Sequence, residues 1–255
     1  MRRSRFCVAL ALSFVVVPVA HAQRNNGAED WSAVTKAIGR AGMLQPDGVM
    51  KFGFPRSDLD ITLDGVKLKP ALALGSWVAF KRTGRQQAMV MGDLVLAESE
   101  VSAVISSLQE KDVLETAVHN HLLNESPRVM YVHIVAHGDP VGIAKAIRAA
   151  LDLTKTPPQA APSAAPAFAL DTAAIHRTLG YAGKVNGGVY QISIPRRERI
   201  RADGEVVPPS MGVSTAINFQ PTDSGRAAIT GDFVIRSSEV NRIIPILRAN
   251  QIGIT

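Results

Sequence analysis

The stretch G-D-L-V-L-A-E-S-E-V at residues 92–101 recurs as G-D-F-V-I-R-S-S-E-V at residues 231–240. The same offset of 139 residues relates Phe80 to Phe219 and Leu108 to Leu247. Many independent matches at one spacing indicate a tandem duplication. The repeat therefore decides how the whole chain is divided.

Two units and a connecting segment follow from the repeat. The first unit covers residues 30–153 and the second covers residues 168–255, while residues 154–167 contain four prolines among alanines, as a semi-extended linker would. At the same offset Thr255 corresponds to Thr116, so we expect the second unit to be incomplete. An unpaired strand edge there would favour association with another chain, and a homo-oligomer formed through the incomplete unit is one expectation.

Local signals predict a mixed α+β fold for each unit. Asp64-Gly65 separates two short apolar runs and suits a type I′ hairpin turn. Residues 99–110 have apolar side chains at helical spacing. Strands are expected over residues 74–80, 88–96, 113–123 and 128–137, and a helix over residues 139–151. This order predicts an antiparallel sheet with helices on one face, close to a ferredoxin-like arrangement.

The N-terminus has the features of an export signal. Three arginines within the first five residues precede an apolar run over residues 6–20, and Ala20-His21-Ala22 is an A-x-A cleavage site. The run is shorter than the roughly 20 residues that span a bilayer. We therefore predict cleavage after Ala22, a periplasmic or secreted protein, and no membrane-spanning segment in the mature chain; an uncleaved anchor is the alternative.

The composition excludes several classes of protein. Of the 255 residues, 46% are apolar and 20% are charged, which is enough for a packed core. The net charge of +6 includes the arginines of the predicted signal, so no dense basic patch favours a nucleic-acid partner. Cys7 is the single cysteine and lies in the signal, so a metal in the mature chain must be held by His, Asp or Glu.

Four of the six histidines fall between residues 119 and 137. Because side chains alternate across a strand, His119 and His121 share one face of the first predicted strand, and Tyr131, His133 and His137 share one face of the second. If the strands pair with their apolar faces toward the helices, these imidazoles converge on the open face. His119, His121 and His133 are then candidate ligands for Zn²⁺ or another divalent first-row metal.

Glu125 lies at the predicted turn between those strands and is the candidate catalytic residue. A carboxylate there could be a further ligand or could carry protons for a metal-bound water. In the structural alternative, the histidines simply line a polar sheet face and bond to neighbours and water. The sequence leaves both interpretations open, and it contains no glycine-rich phosphate loop or serine-nucleophile motif.

Three further residues are candidate ligand-binding groups. Arg56 could clamp a carboxylate or phosphate, Asp93 could join a polar site, and Tyr131 shares the histidine face. Pro-Arg and Gly-Asp recur in both units, including the unit without the histidine segment. Recurrence favours a structural role for Arg56 and Asp93 as turn and strand-end positions.

The motifs resemble the lppY/lpqO family of uncharacterised bacterial exported proteins and lipoproteins. The similarity rests on F-P-R-S-D-L at 54–59, G-D-L-V-L at 92–96, A-V-H-N-H-L-L at 117–123 and E-S-P-R-V-M-Y-V-H at 125–133. It covers most of residues 30–153 and continues in the second unit. The resemblance implies export and two related halves, and it supplies no activity.

Two functions from different classes are therefore predicted. The first is an exported metal-binding protein that acts on an unknown small ligand and could be a metal-dependent enzyme. The second is a non-catalytic binding or interaction module of the cell envelope.

Overall fold

The computed structural model describes residues 30–161 and 168–255. The predicted signal peptide and part of the predicted linker lie outside the described residues. In the first repeat the helices and strands are α1 (Ser32–Ile38), β1 (Met43–Leu44), β2 (Met50–Pro55), β3 (Thr62–Leu63), β4 (Val66–Lys67), α2 (Pro70–Ala73), β5 (Gly75–Gly84), β6 (Gln87–Ala97), α3 (Val101–Gln109), β7 (Leu114–His119), β8 (Glu125–Ser126), β9 (Val129–Gly138) and α4 (Pro140–Leu151). In the second repeat they are α5 (Thr172–Leu179), β10 (Lys184–Asn186), β11 (Val189–Pro195), β12 (Ile200–Ala202), β13 (Glu205–Val207), β14 (Ser214–Pro221), β15 (Ala227–Asp232) and α6 (Ser237–Ala249).

The first repeat is built on one antiparallel sheet in the order β1-β2-β5-β6-β9-β7. One face of the sheet packs against α1, α3 and α4 in a continuous apolar core, which includes Phe52, Val78, Leu94, Val132 and Ile134. These side chains alternate along their strands with residues of the opposite face, as the pleat requires. The α+β class, with an antiparallel sheet and three helices on one face, is confirmed, and the four-residue helix α2 contacts the opposite face.

Individual side chains determine where the helix α4 begins and where the chain turns between β3 and β4. The Asp139 carboxylate accepts from the backbone N–H groups of Val141 and Gly142 and so caps α4. Asp64 and Gly65 have φ values of 48° and 82°, as the predicted hairpin between β3 and β4 requires.

The second repeat has a smaller sheet in the order β10-β11-β14-β15. It matches β1-β2-β5-β6 of the first repeat, and α5 and α6 correspond to α1 and α3. Within the described residues β15 pairs with β14 alone, and α6 has no buried side chain. The two related halves, the second one shorter, are therefore confirmed, while association through the edge of β15 stays a prediction.

An arginine–carboxylate network occurs once in each repeat. In the first, Arg56 donates to Asp58, to Glu100 and to the carbonyl oxygen of Val95. In the second, Arg196 donates to the equivalent groups, which are Glu198, Glu239 and the carbonyl oxygen of Val234. Arg56 is fully buried, whereas the carboxylate side chain of Glu198 is 43% exposed.

The second repeat is fastened to the short helix α2 of the first. Side chains of Gln191, Asn218 and Thr230 lie directly across the second sheet from one another. Gln191 donates to the carbonyl oxygen of Ala71, and both Asn218 and Thr230 donate to that of Leu72, at 2.7–3.0 Å. These bonds satisfy carbonyl groups that a helix end leaves without partners. The face of the second sheet that carries Gln191, Asn218 and Thr230 therefore faces the first repeat.

No helix in the described part of the chain is both long enough and apolar enough to cross a membrane.

Candidate metal centre

The histidines are positioned by the pairing of β7 with β9. The two strands run antiparallel, with His119 opposite Tyr131 and Ala117 opposite His133. His119 and His133 therefore share the sheet face opposite α1, α3 and α4, the face on which α2 packs. The strand predicted over residues 113–123 is shorter than expected and ends at His119.

His121 lies beyond the end of β7 and reaches the same face in a different way. Its ring stacks on Tyr131, with centroids 4.0 Å apart and an angle of 6° between the planes. The Tyr131 hydroxyl donates to the carbonyl oxygen of Ala73 at 3.0 Å, which holds the phenol ring in place. Stacking on a fixed aromatic ring, rather than strand alternation, brings His121 to the cluster.

The three rings form a compact group. The His119 ring centroid lies 4.7 Å from that of His121 and 4.9 Å from that of His133. One ring nitrogen from each residue lies within 4.8 Å of the others, and all three side chains are half-buried. Zn–N bonds of about 2.0–2.1 Å in a tetrahedron bring ligand nitrogens to about 3.4 Å, so small side-chain rotations would close the set around one ion.

Burial keeps two of these rings uncharged near neutral pH. It lowers the pKa of His121 to about 4; the Asp232 carboxylate opposes this shift, and His119 and His133 add to it. Burial also lowers the pKa of His133, with His119 adding to the shift and Asp232 opposing it. Neutral imidazole is the form that binds metal ions.

Asp93 lies beside the cluster on the neighbouring strand. It is opposite His133 on β9 and opposite Trp77 on β5. One carboxylate oxygen, Oδ2, is 3.8 Å from His133 Nε2, and Asp93 is only 7% exposed. Burial raises the pKa of Asp93 to about 7, the charge of Asp232 raises it further, and Lys51 opposes the shift.

Two polar atoms at this point are buried without a partner. Asp93 Oδ1 and His133 Nε2 have no hydrogen bond to any described residue. Buried polar atoms are nearly always paired, because an unmade bond costs about 1–3 kcal/mol. An orphaned carboxylate oxygen beside an orphaned imidazole nitrogen fits the donor set of a divalent cation.

Glu125 lies apart from the ligand group. It is on β8, which pairs with β3, and it is buried with its Oε1 accepting from Asn120 Nδ2 at 3.3 Å. It is not one of the three residues whose ligand atoms approach one another. Its catalytic role stays a prediction.

Arg56 has no free donor to offer a ligand. Its guanidinium carries five N–H groups, and the bonds to Asp58, Glu100 and the Val95 carbonyl use all of them. The bonds of Arg56 therefore agree with the structural role that the repeated Pro-Arg pair favours. His137, also on β9, is exposed and lies near Asp203 rather than in the cluster.

Sequence reasoning missed Lys51 as a neighbour of the site. Its Nζ lies 4.1 Å above the Trp77 ring and donates to the carbonyl oxygen of Ser210 in the second repeat. Burial lowers the pKa of Lys51 to about 8, and the charge of Lys184 adds to the shift, while Asp47 and Asp93 oppose it. A single lysine within the apolar strand β2 gives no sequence signal of this environment.

The fold and the cluster define a two-repeat α+β protein with a three-histidine group on the face of its first sheet opposite α1, α3 and α4. The family model described as Domain of Unknown Function (DUF1259) matches residues 32–153 and 173–255, and the chain belongs to this family. No curated protein and no solved structure matches the chain.

Proposed function

We propose that this protein binds a divalent first-row metal, Zn²⁺ being the best fit, through His119, His121 and His133. The observation that carries the proposal is the approach of one ring nitrogen from each histidine to within 4.8 Å of the others. Imidazole suits zinc, copper, iron and nickel alike. Three histidine nitrogens with an open fourth position are a ligand set of catalytic zinc sites, which favours zinc among them.

Three protein ligands leave a fourth position on a tetrahedral ion. A metal of this kind can lower the pKa of a coordinated water to about 7. Glu125, buried next to the stretch that carries the histidines, is the residue we propose as proton carrier if that water reacts. We therefore propose metal-dependent catalysis on a small ligand as the second stage of the hypothesis, to be tested after binding.

Export of the protein belongs to the same proposal. The arginines, the apolar run and the A-x-A site of residues 1–22 support a periplasmic or secreted location. The motifs shared with the lppY/lpqO family support the same location, and that finer family assignment stays a prediction.

Metal analysis of the purified protein tests the proposal. After removal of adventitious ions, we expect one equivalent of Zn²⁺ to bind tightly and to raise the melting temperature, because a ligand specific to the folded state stabilises it. His119→Ala and His121→Ala should abolish both effects. His137→Ala is the matched control, since that histidine is on β9 but outside the cluster.

A protein that neither retains zinc nor melts higher in its presence would refute the metal site. The non-catalytic envelope module would then be the better hypothesis, with the surface around the three histidines as its binding surface.

A further inference from the structure

Of the three histidines in the cluster, His133 lies in the middle of the sheet, with a strand on each side. It is opposite Asp93 on β6 and opposite Ala117 on β7. A histidine that binds a metal through one ring nitrogen almost always donates the N–H of the other nitrogen to an acceptor. Alanine has no polar side-chain atom, so the cross-strand neighbour that offers such an acceptor is Asp93.

The atoms that would form this hydrogen bond already lie close to each other. Asp93 Oδ2 is 3.8 Å from His133 Nε2. Nε2 is buried without a hydrogen bond to any described residue, whereas Nδ1 is not among these buried, unpartnered atoms. The separation exceeds that of an N–H···O hydrogen bond, about 2.7–3.2 Å, but such bonds are often long in unliganded catalytic sites and tighten when the site is filled. Nδ1 is therefore the ring nitrogen left for an ion.

Asp93 is held on a rigid part of the sheet. β6 and β9 pair without interruption over ten consecutive residue pairs, and Asp93 is only 7% exposed. A Cβ on the preceding residue, Gly92, would lie 2.8 Å from the carbonyl oxygen of Trp77 and 2.9 Å from Val78 Cγ1, so the strands are closely packed at this point. A supporting group on such a strand orients its partner better than one on a loop.

We propose that Asp93 is a positioning residue of the metal centre, whose carboxylate accepts a hydrogen bond from Nε2 of His133 and leaves Nδ1 to bind the ion. The inference rests on the proposed metal-binding function and deepens it. Asp93 is not one of the residues whose ligand atoms approach one another, so it acts through His133. A carboxylate in this place fixes the orientation and tautomer of the imidazole and makes it a stronger donor. The fourth position on the ion stays open for water or a ligand.

The test compares the full chain with three variants at pH 8. Burial raises the pKa of Asp93 to about 7, so its carboxylate is mostly ionised at that pH. Asp93→Asn keeps the shape of the side chain but weakens the acceptor by removing its charge, and Asp93→Leu removes the acceptor altogether. Asp203→Asn is the matched control: its Oδ2 lies 3.7 Å from His137 Nε2, but this pair is exposed and outside the cluster.

Zinc affinity, measured by competition with a chromophoric chelator, should fall by about 10–100-fold in Asp93→Asn. It should fall further in Asp93→Leu and stay unchanged in Asp203→Asn. The cobalt-substituted protein should keep the band shape of its visible absorption in Asp93→Asn, because that spectrum reports coordination geometry and Asp93 is not a ligand.

Proton NMR of the metal-free protein gives a readout that a role in packing alone would not move. The Nε2–H proton of His133 should appear as a slowly exchanging downfield resonance, identified by its loss in His133→Gln. It should move upfield in Asp93→Asn and keep its position in Asp203→Asn. This measurement needs neither bound metal nor a folded Asp93→Leu protein.

Equal zinc affinity in Asp93→Asn and Asp203→Asn, with an unmoved His133 resonance, would overturn the positioning role and leave the histidine site intact. A cobalt spectrum with a different band shape in Asp93→Asn would also overturn it, since Asp93 would then be a ligand itself. Absence of zinc binding in the unsubstituted chain would overturn both proposals.

Discussion

The duplicated arginine network allows the same substitution to be compared in two environments. Arg56→Met and Arg196→Met each replace a guanidinium by an apolar side chain of similar length. Both arginines hold two carboxylates and one backbone carbonyl in the same pattern. The difference is burial: Arg56 is fully buried, while the network of Arg196 is open to water at Glu198.

The magnitude follows from what Arg56→Met leaves behind. Removing one partner of a buried ion pair costs about 3–5 kcal/mol, because the other charge stays buried without compensation. Glu100 would still accept from the backbone N–H groups of Ala97 and Lys155, at 2.8 and 3.0 Å. We therefore expect the lower end of the range, about 3 kcal/mol in the free energy of unfolding, or roughly 6–12 °C in melting temperature.

For Arg196→Met we expect a clearly smaller loss, since water can solvate Glu198 and Glu239 when the guanidinium is gone. Urea unfolding followed by tryptophan fluorescence suits the comparison. Trp31 lies in the core of the first repeat, whereas Trp77 also packs against Met211 and Gly212 of the second. Fluorescence therefore reports the unfolding of the first repeat and the loss of its contact with the second, while far-ultraviolet circular dichroism reports the secondary structure of both. Equal losses for the two variants, or an unchanged midpoint for Arg56→Met, would refute the argument from burial.

Three further outcomes are expected. The folded-state pKa of Asp93 is raised to about 7, so the metal-free protein should lose stability between pH 4 and pH 7 relative to Asp93→Asn, by at most about 4 kcal/mol; a stability difference between the two proteins that stays constant from pH 4 to pH 8, or that shifts in favour of the unsubstituted protein as the pH rises, would contradict this sign. Tyr131→Phe should cost about 1–3 kcal/mol, because it leaves the Ala73 carbonyl without its donor, while the phenyl ring keeps its stacking on His121; chemical denaturation measures the loss, and an unchanged midpoint would count against it. Gly212→Ala would place a Cβ 2.6 Å from the Trp77 ring at a φ of 87°, so we expect a lower melting temperature and a shifted Trp77 emission, and an unaltered spectrum would argue against this close approach.

The sequence predicted the fold class and repeat because both rest on periodic signals. The Asp-Gly turn and the amphipathic helix over residues 99–110 are local patterns, and the structure agrees with them at residues 64–65 and in α3. Alternation along β9 likewise placed His133 and Tyr131 on one face. Each of these predictions depends on neighbours in sequence, which a single chain displays directly.

Predictions that depended on contacts between distant segments were less complete. His121 was expected on a strand, but the stacking that places it requires Tyr131, ten residues away on another strand. The repeated Gly-Asp pair favoured a structural role for Asp93, and its recurrence concealed that burial and register bring this carboxylate beside His133. The charge of Asp232 in the second repeat, which opposes the lowering of the pKa of His121 and His133 in the first, has no signature in either repeat alone.

The four-residue helix α2 has a consequence for how the two halves depend on each other. Its last carbonyl groups accept from Gln191, Asn218 and Thr230 of the second repeat and from Tyr131 of the first. A first half expressed alone would expose the carbonyl groups of Ala71 and Leu72 to solvent, while the bond from Tyr131 to Ala73 would remain. The two repeats are thus not interchangeable modules, because side chains of the second repeat supply the hydrogen-bond donors that the carbonyl groups of α2 in the first repeat require.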